Sequence, residues 1–425
     1  MKNSIKTVLS VLCLAASMFL TTPYAEARAL STQNLTTAGP RNLVSSSVTT
    51  ADCLNILSYG GAGDGSTDNT AALNSLLATA SGGNACAYFP PGKYKFTANV
   101  TYSFVSGSAA ITFKGAGSDL TELTWIGTDG ITVNYAGPFN SVHVRDVSLT
   151  TSGLNAGAGL KLNQTITSYS NPANAAVSDI SGVTFRGADG YAASQYWAYG
   201  VDVYNVSNVN FINDSFVGEA GSYGTAGVGV NLHGTSSVGP IVSNFTDSFF
   251  QWLYAGILYG ANTQGVSVAQ SNFTGDAYGI YAPANGQVVD QLTVTSSEFN
   301  CSLEGVYTLT PISNTIIENS YFIVPKNAVG IDLSSTYSYS VLGNTFEINS
   351  GATNTVGLAV NVTAAPSGAS GPGGVITGNV FSGLTTGVYL QSASTNAILL
   401  GNQYAGNANN FVNSGSNNKI GVATP

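Results

Sequence analysis

A glycine followed by an apolar, a variable and a second apolar residue recurs along the chain at nearly constant spacing. The copies are Gly229-Val230-Asn231-Leu232, Gly256-Ile257-Leu258-Tyr259, Gly279-Ile280-Tyr281-Ala282, Gly305-Val306-Tyr307-Thr308, Gly330-Ile331-Asp332-Leu333, Gly357-Leu358-Ala359-Val360 and Gly387-Val388-Tyr389-Leu390. Their glycines are 27, 23, 26, 25, 27 and 30 residues apart. Looser copies precede them at Gly159 and Gly200. Such a period belongs to a solenoid whose units bury their apolar faces only by stacking.

A second marker keeps step with the first. An apolar residue is followed three positions later by Asn or Ser and five positions later by an aromatic, as in Val268…Ser271-Asn272-Phe273, Ile317…Ser320-Tyr321-Phe322 and Ile376…Asn379-Val380-Phe381. These alternating segments are too short for helices and suit strands of a few residues, with Asn and Ser at the turns between them. Coils stacked about 4.8 Å apart pair each strand with those above and below. The expected fold is all-β: a single-stranded right-handed parallel β-helix of roughly ten coils, with interior apolar stacks and a ladder of turn asparagines. A β-sandwich gives no reason for two markers to recur in register.

The chain's beginning reads as a secretory signal peptide over residues 1–27. Lys2 and Lys6 form the basic start, Val8 to Leu20 the apolar stretch, and Ala25-Glu26-Ala27 the cleavage site. Residues 28–51 read as a flexible Ser/Thr-rich lead-in, and 52–425 as the solenoid, with 52–98 as its capping motif. No later apolar run is long enough to span a membrane, so a secreted or periplasmic protein is expected.

Cations are scarce. From Gly159 onward only Lys161, Arg186, Lys326 and Lys419 are basic, in a chain of net charge −9. That argues against nucleic acid as a partner, because phosphate binding needs clustered Lys and Arg. Cys53 and Cys86 flank the amino-terminal motif and are expected to form a disulfide in an exported protein. Cys301 is left over, as a buried thiol.

The most specific string runs from Leu54 through Tyr59-Gly60-Gly61-Ala62-Gly63-Asp64-Gly65-Ser66-Thr67-Asp68-Asn69-Thr70. Helical spacing follows over Ala71–Leu77, then a strand ending in Tyr88-Phe89-Pro90-Pro91-Gly92-Lys93-Tyr94. This reads as strand, glycine-rich turn, capped helix and strand, with Thr67 or Asp68 placed to cap the helix. The helix would cover the open first coil, whose unpaired edge would otherwise invite aggregation. The string resembles the opening of the pectate-lyase-like superfamily, which includes polygalacturonases and phage tailspike depolymerases. That resemblance implies the β-helix and a secreted glycan-active protein, and it specifies the fold more strongly than the reaction. The polygalacturonase catalytic strings are absent here. Of the residues that directly precede the strand glycines, only Glu304 is a carboxylate.

Candidate chemistry therefore comes from the outward strand positions. Tyr281 and Tyr307 would stack on adjacent coils beside Glu304 and Asp332, with Asp276 one coil along and Trp252 and Tyr254 extending the aromatic strip. A flat aromatic strip beside carboxylates suits sugar binding and glycoside hydrolysis. Glu304 is read as the general acid, with Asp276 or Asp332 activating water or attacking the sugar. Asp214 and Asp247 are read as substituted ladder residues, and Asp202 with Glu219 as an outlying acidic pair. The leading expectation is a secreted polysaccharide-degrading hydrolase with no cofactor. The rivals are a lyase or epimerase, for which Arg186 or Lys326 would serve as base with Ca²⁺, and a non-catalytic glycan-binding or structural protein.

Overall fold

A computed structural model describes residues 53–421, except 81–83, 165, 167–173, 192–193, 222–223, 225, 236–238, 286–288, 335, 337, 349–356 and 365–372. The signal peptide and the Ser/Thr-rich lead-in lie outside the described residues.

The chain winds into a right-handed parallel β-helix with three long sheets. Sheet 1 has 14 strands, sheet 2 has 13 and sheet 3 has 12. A representative coil runs through Asp290–Thr295 in sheet 1, Glu298–Asn300 in sheet 2 and Glu304–Thr308 in sheet 3. Every strand pairing in the three sheets is parallel, as in the two sheet 3 contacts of that coil. There are more turns than the roughly ten expected. The coils before Gly159 carry β-strands without the repeating Gly-apolar-x-apolar signal, and so escape a count based on it.

Two interior columns fix the register. Phe185, Phe216, Phe250, Phe273, Phe299, Phe322, Phe346, Phe381 and Tyr404 stack in sequence. Their ring centroids are 4.9, 4.9, 4.6, 4.7, 4.7, 4.7, 5.1 and 5.3 Å apart. Beside them runs the glycine column, and its spacing explains why glycine marks the repeat. A Cβ on Gly256 would come within 2.6 Å of the Phe273 ring and 2.8 Å of the Gly279 carbonyl. One coil departs from the marker. Leu358 pairs with Val329 and Asn361 with Asp332. Ala359 therefore occupies the glycine column, Gly357 lies outside it, and Asn361 rather than Ala359 holds the outward position.

The corner between sheets 1 and 2 is tight. One residue takes positive φ, as at Asn213, Asp247, Gln270, Ser296, Asn319, Gly343, Gly378 and Gly401. The next residue points inward and forms the ladder. Asn344 donates from its backbone N–H to Asn379 Oδ1 (2.9 Å), and Asn379 does the same to Asn402 Oδ1 (3.0 Å). Ser271, Ser297 and Ser320 continue the ladder below. Asp214 is a member, accepting from the Val183 N–H at 2.8 Å. Asp247 is not. Phe216 pairs with Phe250, so Ser248 takes the rung and Asp247 is the exposed positive-φ residue before it. The two aspartates are therefore not a pair.

Helix α1 (Thr70–Ala80) covers the first coil, burying Leu73, Leu76 and Leu77. Asp68 Oδ1 accepts from the Thr70 N–H at 3.0 Å. Asn69 bonds back to Ala62 through both its side-chain oxygen and nitrogen, closing the glycine-rich turn. Asp64 accepts from the backbone of Ser66 and Thr67. Both acidic residues of the opening thus hold turn and cap. Cys53 and Cys86 are joined by a disulfide that ties the start of the first strand of sheet 1 to its neighbour in that sheet, Ala85–Tyr88, and Cys301 is a buried free thiol. Among the described residues no helix is long and apolar enough to cross a membrane.

Candidate functional site

The Gly-apolar-x-apolar strands present two outward rows on sheet 3. Simple alternation would send one residue in two outward, yet Tyr278–Ala282 reads half-buried, buried, buried, half-buried, buried, and Glu304–Thr308 repeats it. Glycine and the apolar residue after it both face inward, so the residue before the glycine and the one two after it share the outer surface. One row runs Tyr199, Val228, Ala255, Tyr278, Glu304, Val329, Leu358. The other runs Lys161, Asp202, Asn231, Leu258, Tyr281, Tyr307, Asp332, Asn361, Tyr389.

These rows assemble an aromatic cluster. Tyr278 and Tyr281 stack at 4.6 Å, Tyr281 and Tyr307 at 5.4 Å, and Tyr278 and Tyr307 at 5.7 Å. Tyr254 meets Tyr278 and Tyr281 edge-on at 5.4 and 6.1 Å. Tyr278 joins the site although the sequence pattern does not single it out, because alternation alone does not predict that a residue directly before a strand glycine faces outward with Tyr281.

Glu304 follows Tyr278 in its row. Its Oε2 is buried and has no hydrogen-bond partner among the described residues. Burial, and then the nearby charge of Asp332, push its carboxyl up to about 8. Asp332 sits on the next coil, paired with Tyr307 in register. Its Oδ1 accepts from Ser334 Oγ at 2.7 Å and its Oδ2 from Asn361 Nδ2 at 2.9 Å. Burial raises its pKa, while the bonds from Asn361 and Ser334 pull the other way. The arrangement holds one carboxyl protonated near neutrality beside another whose anion is hydrogen-bonded.

Two candidates are not brought to this cluster. Asp276 is completely buried in the turn between sheets 2 and 3, where its Oδ1 accepts from the Leu253 N–H at 2.8 Å. Asn407 fills the same role toward Leu384, and its Nδ2 donates to the Phe381 carbonyl. Asp276 is thus a substituted turn asparagine. Burial raises its pKa well above the usual range, and its Oδ2 has no hydrogen-bond partner among the described residues. Trp252 occupies a positive-φ corner, and its ring covers Gly275 of the following coil, whereas Tyr254 two residues later does join the strip. Away from sheet 3, Arg186 is tied to Glu122 at 3.3 Å.

A second polar group lies lower on the same face. Asp202 Oδ1 accepts from Asn231 Nδ2 at 2.8 Å and from His233 Nε2 at 2.9 Å. The Tyr204 ring stands 5.1 Å from the imidazole. Lys161 is the register partner of Asp202 on the preceding coil and binds Asp129 at 2.7 Å. Three residues before Asp202 and five before His233 on the same strands, a depression of about 350 Å³ is lined by Asn155, Tyr199, Val228 and Tyr254, among others. Strand spacing separates Asp202 from the Glu304 coil by about 19 Å, since four coil steps intervene. The sequence held both Asp202 and His233, but their contact is diagonal between coils and becomes visible only once register is known. Among the described residues no cluster of three or more His, Cys, Asp or Glu side chains is placed to hold a metal ion.

A family model described as rhamnogalacturonase A/epimerase, pectate lyase-like, matches residues 53–307, more than half of the chain. No curated protein matches the sequence. Among solved structures, the A-module of a mannuronan C-5 epimerase from Azotobacter vinelandii is similar at 17% identity and TM-score 0.59, covering 87% of this chain and 100% of that one. The Dettilon tailspike protein is similar at 14% identity and TM-score 0.59, covering 83% of this chain and 68% of that one. Tailspike protein 2 of Escherichia coli O157:H7 bacteriophage CAB120 is similar at 12% identity and TM-score 0.51, with 79% and 43% covered. At these identities the likeness is one of fold.

Proposed function

Because the chain belongs to the rhamnogalacturonase A/epimerase family of pectate-lyase-like proteins, we propose that it acts on a polysaccharide laid along sheet 3, outside the cytoplasm, and cleaves it by hydrolysis. The observation that carries this reading is Glu304, a desolvated carboxyl with an unpartnered oxygen, set among tyrosine rings and next to Asp332. Tyr254, Tyr278, Tyr281 and Tyr307 offer the flat apolar surface on which sugar rings rest. Glu304, protonated near neutrality, donates to the glycosidic oxygen as the bond to the leaving sugar breaks. Asp332, its anion supported by Ser334 and Asn361, activates the attacking water. One coil and three strand positions put the two Cα atoms about 11 Å apart. Side chains leaning together across that span suit the roughly 6.5–9.5 Å carboxyl separation of an inverting enzyme.

A second reading draws support from the Asp202–His233 pair, with Lys161 in register and the depression beside Tyr199 about 10 Å from Asp202 along the strand. There, with Asp202 accepting from Nε2, the other ring nitrogen of His233, Nδ1, is the one to take a proton. Lys161 would offset a sugar carboxylate, and the reaction would be proton removal beside that carboxylate, giving elimination or epimerisation. One structure of the same fold is a mannuronan C-5 epimerase.

The test is incubation of the mature protein with neutral and acidic polysaccharides, with and without calcium. Products are followed by mass spectrometry and by absorbance of unsaturated uronates, with a parallel run in D₂O. New saturated reducing ends, lost by about 100-fold or more in Glu304→Gln and Asp332→Asn, support hydrolysis. Cleavage at the parent rate by both variants would sink it. Unsaturated or deuterated products that vanish in His233→Ala establish the second reading instead.

A further inference from the structure

Sheet 1 carries a constellation that neither reading uses. On strand Ser141–Arg145 the side chains of Ser141, His143 and Arg145 share one face, with Ser141 buried at 9% exposure and the other two half-buried. Asp179 stands opposite His143 on the next coil. Ser141 Oγ lies 3.2 Å from His143 Nε2, and His143 Nδ1 is hydrogen-bonded to Asp179 Oδ1. Arg145 clamps that carboxylate from the side, with Nε to Oδ2 at 2.9 Å and Nη2 to Oδ1 at 3.0 Å. We propose that Ser141, His143 and Asp179 form a nucleophile–base–carboxylate triad that hydrolyses esters of short acyl groups.

The contacts assign each role. The Asp179 carboxylate can only accept from His143, so Nδ1 carries the proton and Nε2 is free to accept from the Ser141 hydroxyl. This is the hydrogen-bond order by which a serine is activated, and it is recognised by geometry rather than by chain order. Arg145 fixes both oxygens of Asp179, so the carboxylate and the imidazole it orients are held without substrate. The surroundings suit an acyl group. Phe139 and Val177 are apolar yet 56% and 47% exposed. Phe139 lies two residues before Ser141, and Val177 two before Asp179, so both stand at the serine's end of the constellation. On the preceding coil its register partner is Ala110, which adds little bulk.

In the acylation step Ser141 Oγ bonds to the ester carbonyl carbon while its proton passes to His143 Nε2. The carbon–oxygen bond of the ester then breaks, and the alcohol leaves with that proton. Water repeats the sequence on the acyl-serine, its proton taken by His143 and returned to Ser141 Oγ, releasing the carboxylic acid. No other reactant is needed.

The experiment treats the mature protein with p-nitrophenyl acetate and, separately, with a fluorophosphonate, followed by peptide mass spectrometry. The expected result is steady ester hydrolysis, a fluorophosphonate adduct on Ser141, and loss of both in Ser141→Ala. The rate should fall by about 100-fold or more, with the thermal midpoint unchanged. His143→Gln should lose the adduct although Ser141 remains, which a merely structural ion pair would not produce. Absence of an adduct on Ser141, or hydrolysis by Ser141→Ala at the parent rate, overturns the proposal.

Discussion

At the scale of single residues, the carboxyl of Glu304 ties stability to acidity. Burial and the Asp332 charge raise it from 4.5 to about 8. Below pH 4.5 it is protonated in the folded and unfolded chain alike. As pH climbs toward 8, the unfolded chain gives up this proton while the folded one keeps it. The group's contribution therefore declines across that window, by at most about 5 kcal/mol, and levels off above pH 8. Glu304→Gln should flatten this part of the profile, which urea midpoints at pH 5 and pH 8 would reveal. Equal slopes in parent and variant would mean that the carboxyl is better solvated than its surroundings indicate. Cleavage by the parent should fall as pH passes about 8, when the proton needed by the leaving group is lost. Glu304 could be singled out in the sequence because it alone supplies a carboxylate directly before a strand glycine. Asp276, equally acidic and only three residues before Gly279, could not be told apart from a surface residue. Its burial depends on the turn position it shares with Asn407, and that correspondence spans five coils.

Elements of this fold owe their register to what cannot fit. Gly256→Ala would drive a methyl into the Phe273 ring and the Gly279 carbonyl, where a Cβ has only 2.6 and 2.8 Å. The backbone or the phenylalanine stack must yield, at about 1–3 kcal/mol. Ala359→Gly, in the coil that already departs from glycine, should cost less than about 1 kcal/mol, mostly through backbone entropy. Denaturant midpoints of the two variants test the ordering, and equal losses would show that the column does not discriminate. The same column explains how much of the fold was legible. Glycine and aromatic markers revealed coil, sheet and cap because each reports a steric demand that repeats. Where the demand is met differently, the markers no longer report the register. Ala359 replaced the glycine and shifted the outward residue to Asn361, and the phenylalanine pair Phe249-Phe250 moved the ladder assignment from Ser248 to Asp247. The pairing of Tyr278 with Tyr281 went unseen for another reason. It comes from two consecutive inward residues, which strand alternation does not anticipate.

For the whole molecule, the uneven distribution of charge separates the two readings of its chemistry. Beyond Arg186 only Lys326 and Lys419 are basic, whereas Asp202, Glu304 and Asp332 all lie on sheet 3. The six cations Lys93, Lys95, Lys114, Arg145, Lys161 and Arg186 belong to the earlier coils. A polyuronate settling on the tyrosine cluster meets the Asp332 carboxylate, and among the described residues neither outward row carries a cation from Asp202 onward, Lys326 being exposed in the turn before Val329. Its binding should therefore tighten as salt rises from 0.01 to 0.15 M and the screening length falls from roughly 30 to 8 Å. A neutral glycan on the same surface should respond little. A polyuronate centred on Lys161 and the depression beside Tyr199 should behave in the opposite way, weakening with salt and losing most of its affinity in Lys161→Ala. Calorimetric titration of polygalacturonate and of a neutral glucan, at both salt concentrations and with both proteins, distinguishes these outcomes. Tightening with salt and indifference to Lys161→Ala place the working groove at Glu304, with a neutral chain as its natural occupant. Weakening with salt together with dependence on Lys161 moves the chemistry four coils down the same face, to Asp202 and His233.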